Sequence, residues 1–242
     1  MEDEMPEHYK IVLLKLTGES LGSPQKPLNI KCSLAFITRE VRNLLHEFPK
    51  LKLAIVIGGG NFIRGKELKP LFNDPTTPDR MGMLCTVVNA LAIQDQLEKM
   101  DIPTRVQSSI TMPQICEQYI KRRAEHHMAE ERVVIFAGGT GNPNFTTDTA
   151  AVEKALDIRA EIVLKATKVD GIYDKDPRQN ANANLIEKIS YDEVIKKNLR
   201  IMDSAAIGLA KEHKMPILVF NFFKKGNLIR AVTKQEIGSL IY

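Results

Sequence analysis

Four clusters of lysine, glycine and hydroxyl residues follow directly behind short apolar runs. In the first, Lys15-Leu16-Thr17-Gly18-Glu19-Ser20, a lysine ends the run and a small, flexible turn follows. A cation and backbone N–H groups can meet a phosphate there; a strand-to-helix turn with a surface lysine explains the same residues. The second, Ile57-Gly58-Gly59-Gly60, leads on to Arg64 and Gly65. Three consecutive glycines behind a buried strand suit a ligand that must approach the backbone closely. The third, from Gly138 to Asp148, mixes Gly139, Thr140, Gly141, Asn142, Pro143, Asn144, Phe145, Thr146 and Thr147, a set fit to hold a small polar molecule. Thr147 and Asp148 taken singly also read as helix N-caps. The fourth runs from Lys165 through Thr167 to Asp176-Pro177. There Tyr173 offers a face for a base and Asp176 an acceptor for a ribose hydroxyl, though an ordinary surface loop accounts for the segment equally well.

Two familiar nucleotide signatures are excluded. Gly60 to Lys66 matches GxxxxGK, but Glu67 stands where a Ser or Thr hydroxyl should hold Mg²⁺, and Pro70 opposes a helix opening there. Gly139-Thr140-Gly141 is followed by Asn142-Pro143-Asn144 rather than completing GxGxxG.

The elements behind these loops read as an alternation. Apolar runs at Lys10 to Leu16, Leu51 to Ile57, Thr104 to Ser108, Val133 to Ala137, Ile162 to Ala166 and Ile217 to Asn221 predict strands. Helical periodicity predicts helices at Ser33 to Phe48, Arg80 to Met100, Met112 to Arg123, Thr147 to Leu156 and Ser204 to His213. Near-continuous apolar strands alternating with helices imply an α/β, three-layer αβα fold with a mostly parallel central sheet. Ligands in such sheets sit beyond the carboxyl ends of the strands, where the four clusters fall. Residues 1–8 read as a frayed tail and residues 9–242 as a single catalytic domain.

Composition narrows the class. The chain has 242 residues, 43% hydrophobic and 26% charged, ordinary for a globular protein. With 34 basic and 30 acidic residues the balance is too even for a nucleic-acid binder. Cys32, Cys85 and Cys116 lie far apart without metal-ligand spacing and read as reduced, mostly packed thiols. The acidic start MEDEMPEH is unlike a signal peptide, and no apolar run approaches the roughly 20 residues of a membrane helix. The expected location is cytoplasmic.

Taken in order, KLTGES, IGGGNFIRG, DRMGML, GGTGNPNFTTD, LKATKVDGIYDKDP and the Met202-Asp203 pair resemble the bacterial uridylate (UMP) kinases of the amino-acid kinase superfamily, from about Tyr9 to Ile241. The resemblance implies the carbamate kinase-like fold and transfer of the ATP γ-phosphoryl group to UMP, in pyrimidine nucleotide (CTP) biosynthesis. It implies that Lys15, Leu16, Thr17, Gly18, Gly60 and Arg64 face ATP phosphates, and that Thr167, Tyr173 and Asp176 bind the ATP nucleoside. Gly59 and Asp79 would contact UMP, and Thr140, Gly141, Asn142, Pro143, Asn144, Phe145, Thr146 and Thr147 would wrap it. Lys165 would face the transferring phosphoryl group, with Asp148 and Asp203 orienting cations. Mg²⁺ is implied with ATP, but no definite protein ligand for it is visible in the sequence. The family also implies a homohexamer inhibited by UTP. Its GxxGFGID stretch, associated with GTP activation, is replaced by Gly22-Ser23-Pro24-Gln25-Lys26-Pro27-Leu28-Asn29-Ile30, which leaves GTP activation outside what carries over. A carboxylate or carbamate kinase of the superfamily, or a non-catalytic nucleotide sensor on the same fold, are the competing readings.

Overall fold

Buried β-branched and leucine residues on both faces of successive strands assemble one broad sheet in the computed structural model, which describes residues 7–175, 179–180, 182–199 and 201–242. The strands are Ile11–Leu16 (β1), Lys52–Ile57 (β2), Thr104–Ser108 (β3), Glu117–Gln118 (β4), Val133–Ala137 (β5), Ile162–Thr167 (β6), Ile172–Tyr173 (β7), Leu185–Ile186 (β8), Lys188–Ile189 (β9), Ile217–Asn221 (β10) and Ser239–Ile241 (β11). The sheet order is β4-β3-β5-β2-β1-β6-β10-β11-β9, and only the β10–β11 pairing is antiparallel. β7 and β8 form a separate antiparallel ribbon.

The helices are Ala35–Glu47 (α1), Gly65–Leu68 (α2), Thr77–Glu98 (α3), Lys121–Ala129 (α4), Thr147–Asp157 (α5), Tyr191–Lys196 (α6), Ser204–His213 (α7) and Asn227–Val232 (α8). Strand side chains alternate between two cores. Leu14, Leu16, Ile55 and Ile57 pack with Ile37, Val41, Ile93 and Leu228 from α1, α3 and α8. Leu13, Ala54, Val56 and Val163 pack with Met128, Val152, Ala155 and Ile207 from α4, α5 and α7. The sheet is therefore covered on both faces, the αβα arrangement expected from the strand composition.

One predicted helix is wrong. Residues 113–115 form a turn, β4 follows at Glu117, and the helix begins only at Lys121. Pro113 interrupts the period, and Glu117 and Gln118 extend the sheet against Gln107 and Ser108 of β3. The true helix α4 buries Ala124 and Met128, an i, i+4 pair hidden in the sequence KRRAEHHMA by its charge. The helix expected from Arg80 starts earlier, at Thr77, so Asp79 lies in its first turn beside Pro78. Of the three free cysteines, Cys116 is buried and Cys85 half-buried, but Cys32 is exposed.

Candidate phosphate and nucleotide site

β1 lies at the centre of the sheet, with β2 on one side and β6 on the other. That reversal of strand order is where an open α/β sheet forms a crevice at its carboxyl ends. Lys15 of β1 is the register partner of Lys165 of β6. Each is two residues on from a core residue facing α5, Leu13 and Val163, so period-two alternation points both ammonium groups at the start of α5. Two like charges placed side by side repel. Asp148, in the first turn of α5, lies between them: its Oδ1 is 2.5 Å from Lys15 Nζ and its Oδ2 accepts from Lys165 Nζ at 2.7 Å. The Lys15 contact is a close charge pair whose angles do not align as a hydrogen bond.

All three side chains are largely shielded, with 6% of Lys15, 8% of Lys165 and 14% of Asp148 accessible. Burial alone would raise the Asp148 carboxyl; the charges of Lys15 and Lys165, with the hydrogen bond from Lys165, prevail and hold it down to about 2. Burial pushes the Lys165 ammonium down, the Lys15 charge acts in the same direction, and Asp148 only partly offsets them, leaving it at about 8.

The glycine loops close around this cluster. A Cβ on Gly18 would fall 2.4 Å from the Gly60 amide nitrogen, so the loops after β1 and β2 touch through bare backbone. A Cβ on Gly59 would fall 2.5 Å from the Gly82 carbonyl oxygen, which fits the second loop tightly onto α3. Two buried amides that the sequence reading missed tie it there: Asn89 donates to the Gly58 carbonyl at 2.7 Å and to Asn61 Oδ1 at 2.7 Å. Asn61 in turn donates to the Pro27 carbonyl at 2.7 Å. The available signal was Asn89 itself, a polar residue within the apolar run of α3. Also missed was Thr86, whose hydroxyl accepts from the Gly138 N–H at 2.7 Å and anchors the third loop.

That third loop turns through positive φ at Gly138, Gly139 and Gly141, and at Asn144. Thr140 closes its tip, accepting from the Asn142 N–H at 3.1 Å. The helix cap is Thr146, one residue before Thr147 and two before Asp148; its hydroxyl accepts from the Asp148 N–H at 3.0 Å. Asp203 caps α7, accepting from the Ala206 N–H at 2.8 Å, and also accepts from the Thr146 and Thr149 hydroxyls. It thus ties the third loop to α7.

A cleft of about 580 Å³ opens beside these loops. Gly59, Gly60, Asp79, Asn144, Phe145, Thr146 and Thr147 line it together with Lys69 and Met83, whereas Thr140, Gly141, Asn142 and Pro143 do not. Asp79 Oδ2 accepts from the Asn144 N–H at 3.1 Å. Arg64 is turned to two carboxylates, Glu19 at 2.8 Å and Glu67 at 3.2 Å. Glu67, which stands where GxxxxGK should be followed by Ser or Thr, thus partners the nearby arginine. Leu16 is buried in the core; Thr17 pairs its hydroxyl with Ser20 at 3.1 Å. The Thr167 hydroxyl lies within donating reach of the Val169 and Phe220 carbonyls. Tyr173 sits on the β7–β8 ribbon, and Asp176 lies outside the described residues.

Among the described residues no group of three or more His, Cys, Asp or Glu could hold a metal. None of their helices is long and apolar enough to cross a membrane.

Solved structures share this fold. A UMP kinase from Bacillus anthracis matches with a TM-score of 0.92 at 34% identity, covering 97% of this chain and 96% of the other. A UMP kinase from Ureaplasma parvum matches with a TM-score of 0.87 at 29% identity, covering 97% and 99%. A uridylate kinase from Archaeoglobus fulgidus, at 23% identity, shares the fold with a TM-score of 0.72 over 96% and 99%. The model of the amino acid kinase family matches residues 10–221. The family model spans most of the chain and the Bacillus anthracis match nearly all of it, and the chain belongs to the amino acid kinase family.

Proposed function

We propose that the chain is a UMP kinase, which reversibly transfers the γ-phosphoryl group of ATP to UMP, giving UDP and ADP, in pyrimidine nucleotide synthesis. The observation that carries this reading is the Lys15–Asp148–Lys165 cluster at the strand ends, flanked by glycine loops and opening beside a cleft that ends on Asp79.

In this reading Lys15, Thr17, Gly18, Gly60 and Arg64 face the ATP phosphates, and Leu16, its side chain in the core, does so only through its backbone. Thr167, Tyr173 and Asp176 take its nucleoside. Gly59, Asp79 and residues 144–147 hold UMP from the walls of the cleft, and the reading extends to residues 140–143 of the same loop, outside that lining. The nucleophile is a phosphate oxygen of UMP, which is mostly dianionic at neutral pH because its second pKa is about 6, so no general base is needed. A new P–O bond forms to that oxygen as the bond to the ADP oxygen breaks. The difficulty is to align two polyanions, and charge neutralisation supplies most of the catalysis. Lys15 and Lys165 draw the phosphates together over the centre of the sheet. Asp148 lies between the two ammonium groups and balances their charge while no nucleotide is present. Arg64 exchanges its two carboxylate partners for phosphate.

The residues present fit a cation carried by the nucleotide rather than caged by protein. Asp148 is engaged by two lysines and Asp203 by two hydroxyls and an amide. When bound, Mg²⁺ neutralises charge on the phosphoryl oxygens.

The proposal extends to one catalytic domain over residues 9–242, a cytoplasmic location, a homohexamer and inhibition by UTP. Exposed Leu84 and Val88 on one face of α3 support a subunit contact. GTP activation is left out, since residues 22–27 form a tight turn closed by the Ser23–Lys26 bridge.

A coupled assay of ADP release from ATP tests the reading, with UMP, CMP, dTMP, aspartate and acetylglutamate as acceptors. Turnover with UMP alone is expected. Turnover with aspartate or acetylglutamate instead would make it another kinase of the family, and no turnover with any acceptor would favour a nucleotide sensor.

A further inference from the structure

Lys69 stands at the mouth of the acceptor cleft, in the single turn that follows α2, with Pro70 fixing the backbone beside it. Its ammonium lies 2.9 Å from Asp79 Oδ2, the same oxygen that accepts from the Asn144 N–H at 3.1 Å. Oδ2 is thus held from two sides, by a side chain from one wall of the cleft and by backbone from the other. Oδ1 has no hydrogen-bond partner among the described residues. A Cβ on Gly65 would fall 3.1 Å from Oδ1, so the glycine keeps that oxygen uncovered. One carboxylate oxygen is therefore clamped and the other left open in the cleft.

Stability does not account for the clamp. Lys69 keeps 36% of its side chain in contact with solvent, and an ion pair that open adds little to folding. What it does fix is the rotation of a short side chain on the first helical turn of α3. An ionised carboxylate with one free oxygen at a set angle is an acceptor suited to hydroxyl hydrogens, and charge-assisted bonds of this kind depend on that angle. A hydroxyl-reading site rejects the analogue that lacks the hydroxyl because its own polar group is left unpaired.

We infer that Lys69 is a positioning residue for the acceptor: by clamping Asp79 Oδ2 it presents Oδ1 to the ribose hydroxyls and favours a ribonucleotide over its 2′-deoxy counterpart. This rests on the UMP kinase reading. Lys69 reaches the acceptor through Asp79 and makes no contact of its own with the transferring group.

Calorimetric titration of wild type, Lys69→Met and Lys69→Arg with UMP and with dUMP tests it, alongside kcat and KM for both. In Lys69→Met the affinity for UMP should fall about tenfold, the size expected when one charge-assisted bond loses its alignment. The affinity for dUMP should fall much less, KM should carry the loss rather than kcat, and Lys69→Arg should restore most of the preference. A preference unchanged in Lys69→Met overturns the inference, whether UMP and dUMP weaken together, as for a direct phosphate contact, or neither weakens. If Lys69→Met does not fold, Lys69→Gln is read by the same criterion. A wild type that binds neither nucleotide instead overturns the UMP kinase reading, and this inference with it.

Discussion

Asp148 is the residue on which the chemistry of the strand ends turns. Its carboxylate is held near 2, below its ordinary range, by Lys15 and Lys165, so the stability it contributes is present above the ordinary aspartate range and lost as pH falls through about 2. Asp148→Asn would leave two shielded ammonium groups side by side, and a loss of about 3 kcal/mol in a denaturant titration is expected from breaking such a buried pair. Added ATP should recover part of that loss, since its phosphates replace the missing charge. Lys165 titrates the other way. Held at about 8, below its ordinary range, it loses its charge as pH rises through that value, so kcat/KM for ATP should fall above pH 8. Bound phosphates stabilise the ammonium, so kcat should hold to higher pH than kcat/KM; superimposable profiles would argue against Lys165 as a phosphate ligand. Lys15→Ala and Arg64→Ala should each lower kcat by roughly a hundredfold, as losing one charge-stabilising donor does. Near wild-type turnover in both would remove these residues from the mechanism.

At the scale of elements, the site is made by loops that are bolted rather than free. The Gly58 loop is fixed to α3 by the Asn61–Asn89 amide pair, and the Gly138 loop is fixed to α3 by Thr86 and to α7 by Asp203. Asn89→Leu should destabilise the fold by about 2 kcal/mol, because the buried Gly58 carbonyl and the Asn61 amide lose their partner. A thermal melt equal to wild type would contradict that role. The strands before these loops were legible in sequence, because buried parallel strands announce themselves as runs of Val, Ile and Leu. The helix expected over 112–123 differs from the true one because the charged face of α4 conceals its period, while Pro113 breaks the earlier stretch. The bolts were not legible at all: Asn89 lies 31 residues from Gly58, and no local pattern connects the two.

For the molecule as a whole, strand order does what residue spacing cannot. Lys15 and Lys165 lie 150 positions apart in sequence, and only the direct pairing of β1 with β6 makes them neighbours. The glycine loops marked the carboxyl ends of the strands, but the register that sets two cations against one carboxylate came from tertiary structure. The same applies to the Lys69–Asp79 clamp, which joins the single turn after α2 to the start of α3. The most direct measurement of the central claim follows the phosphoryl group itself. With ATP labelled at the γ-phosphate and unlabelled UMP, label should appear in UDP with the wild-type protein and drop steeply with Lys15→Ala. Label that remains in ATP, or appears only as inorganic phosphate, would contradict the account.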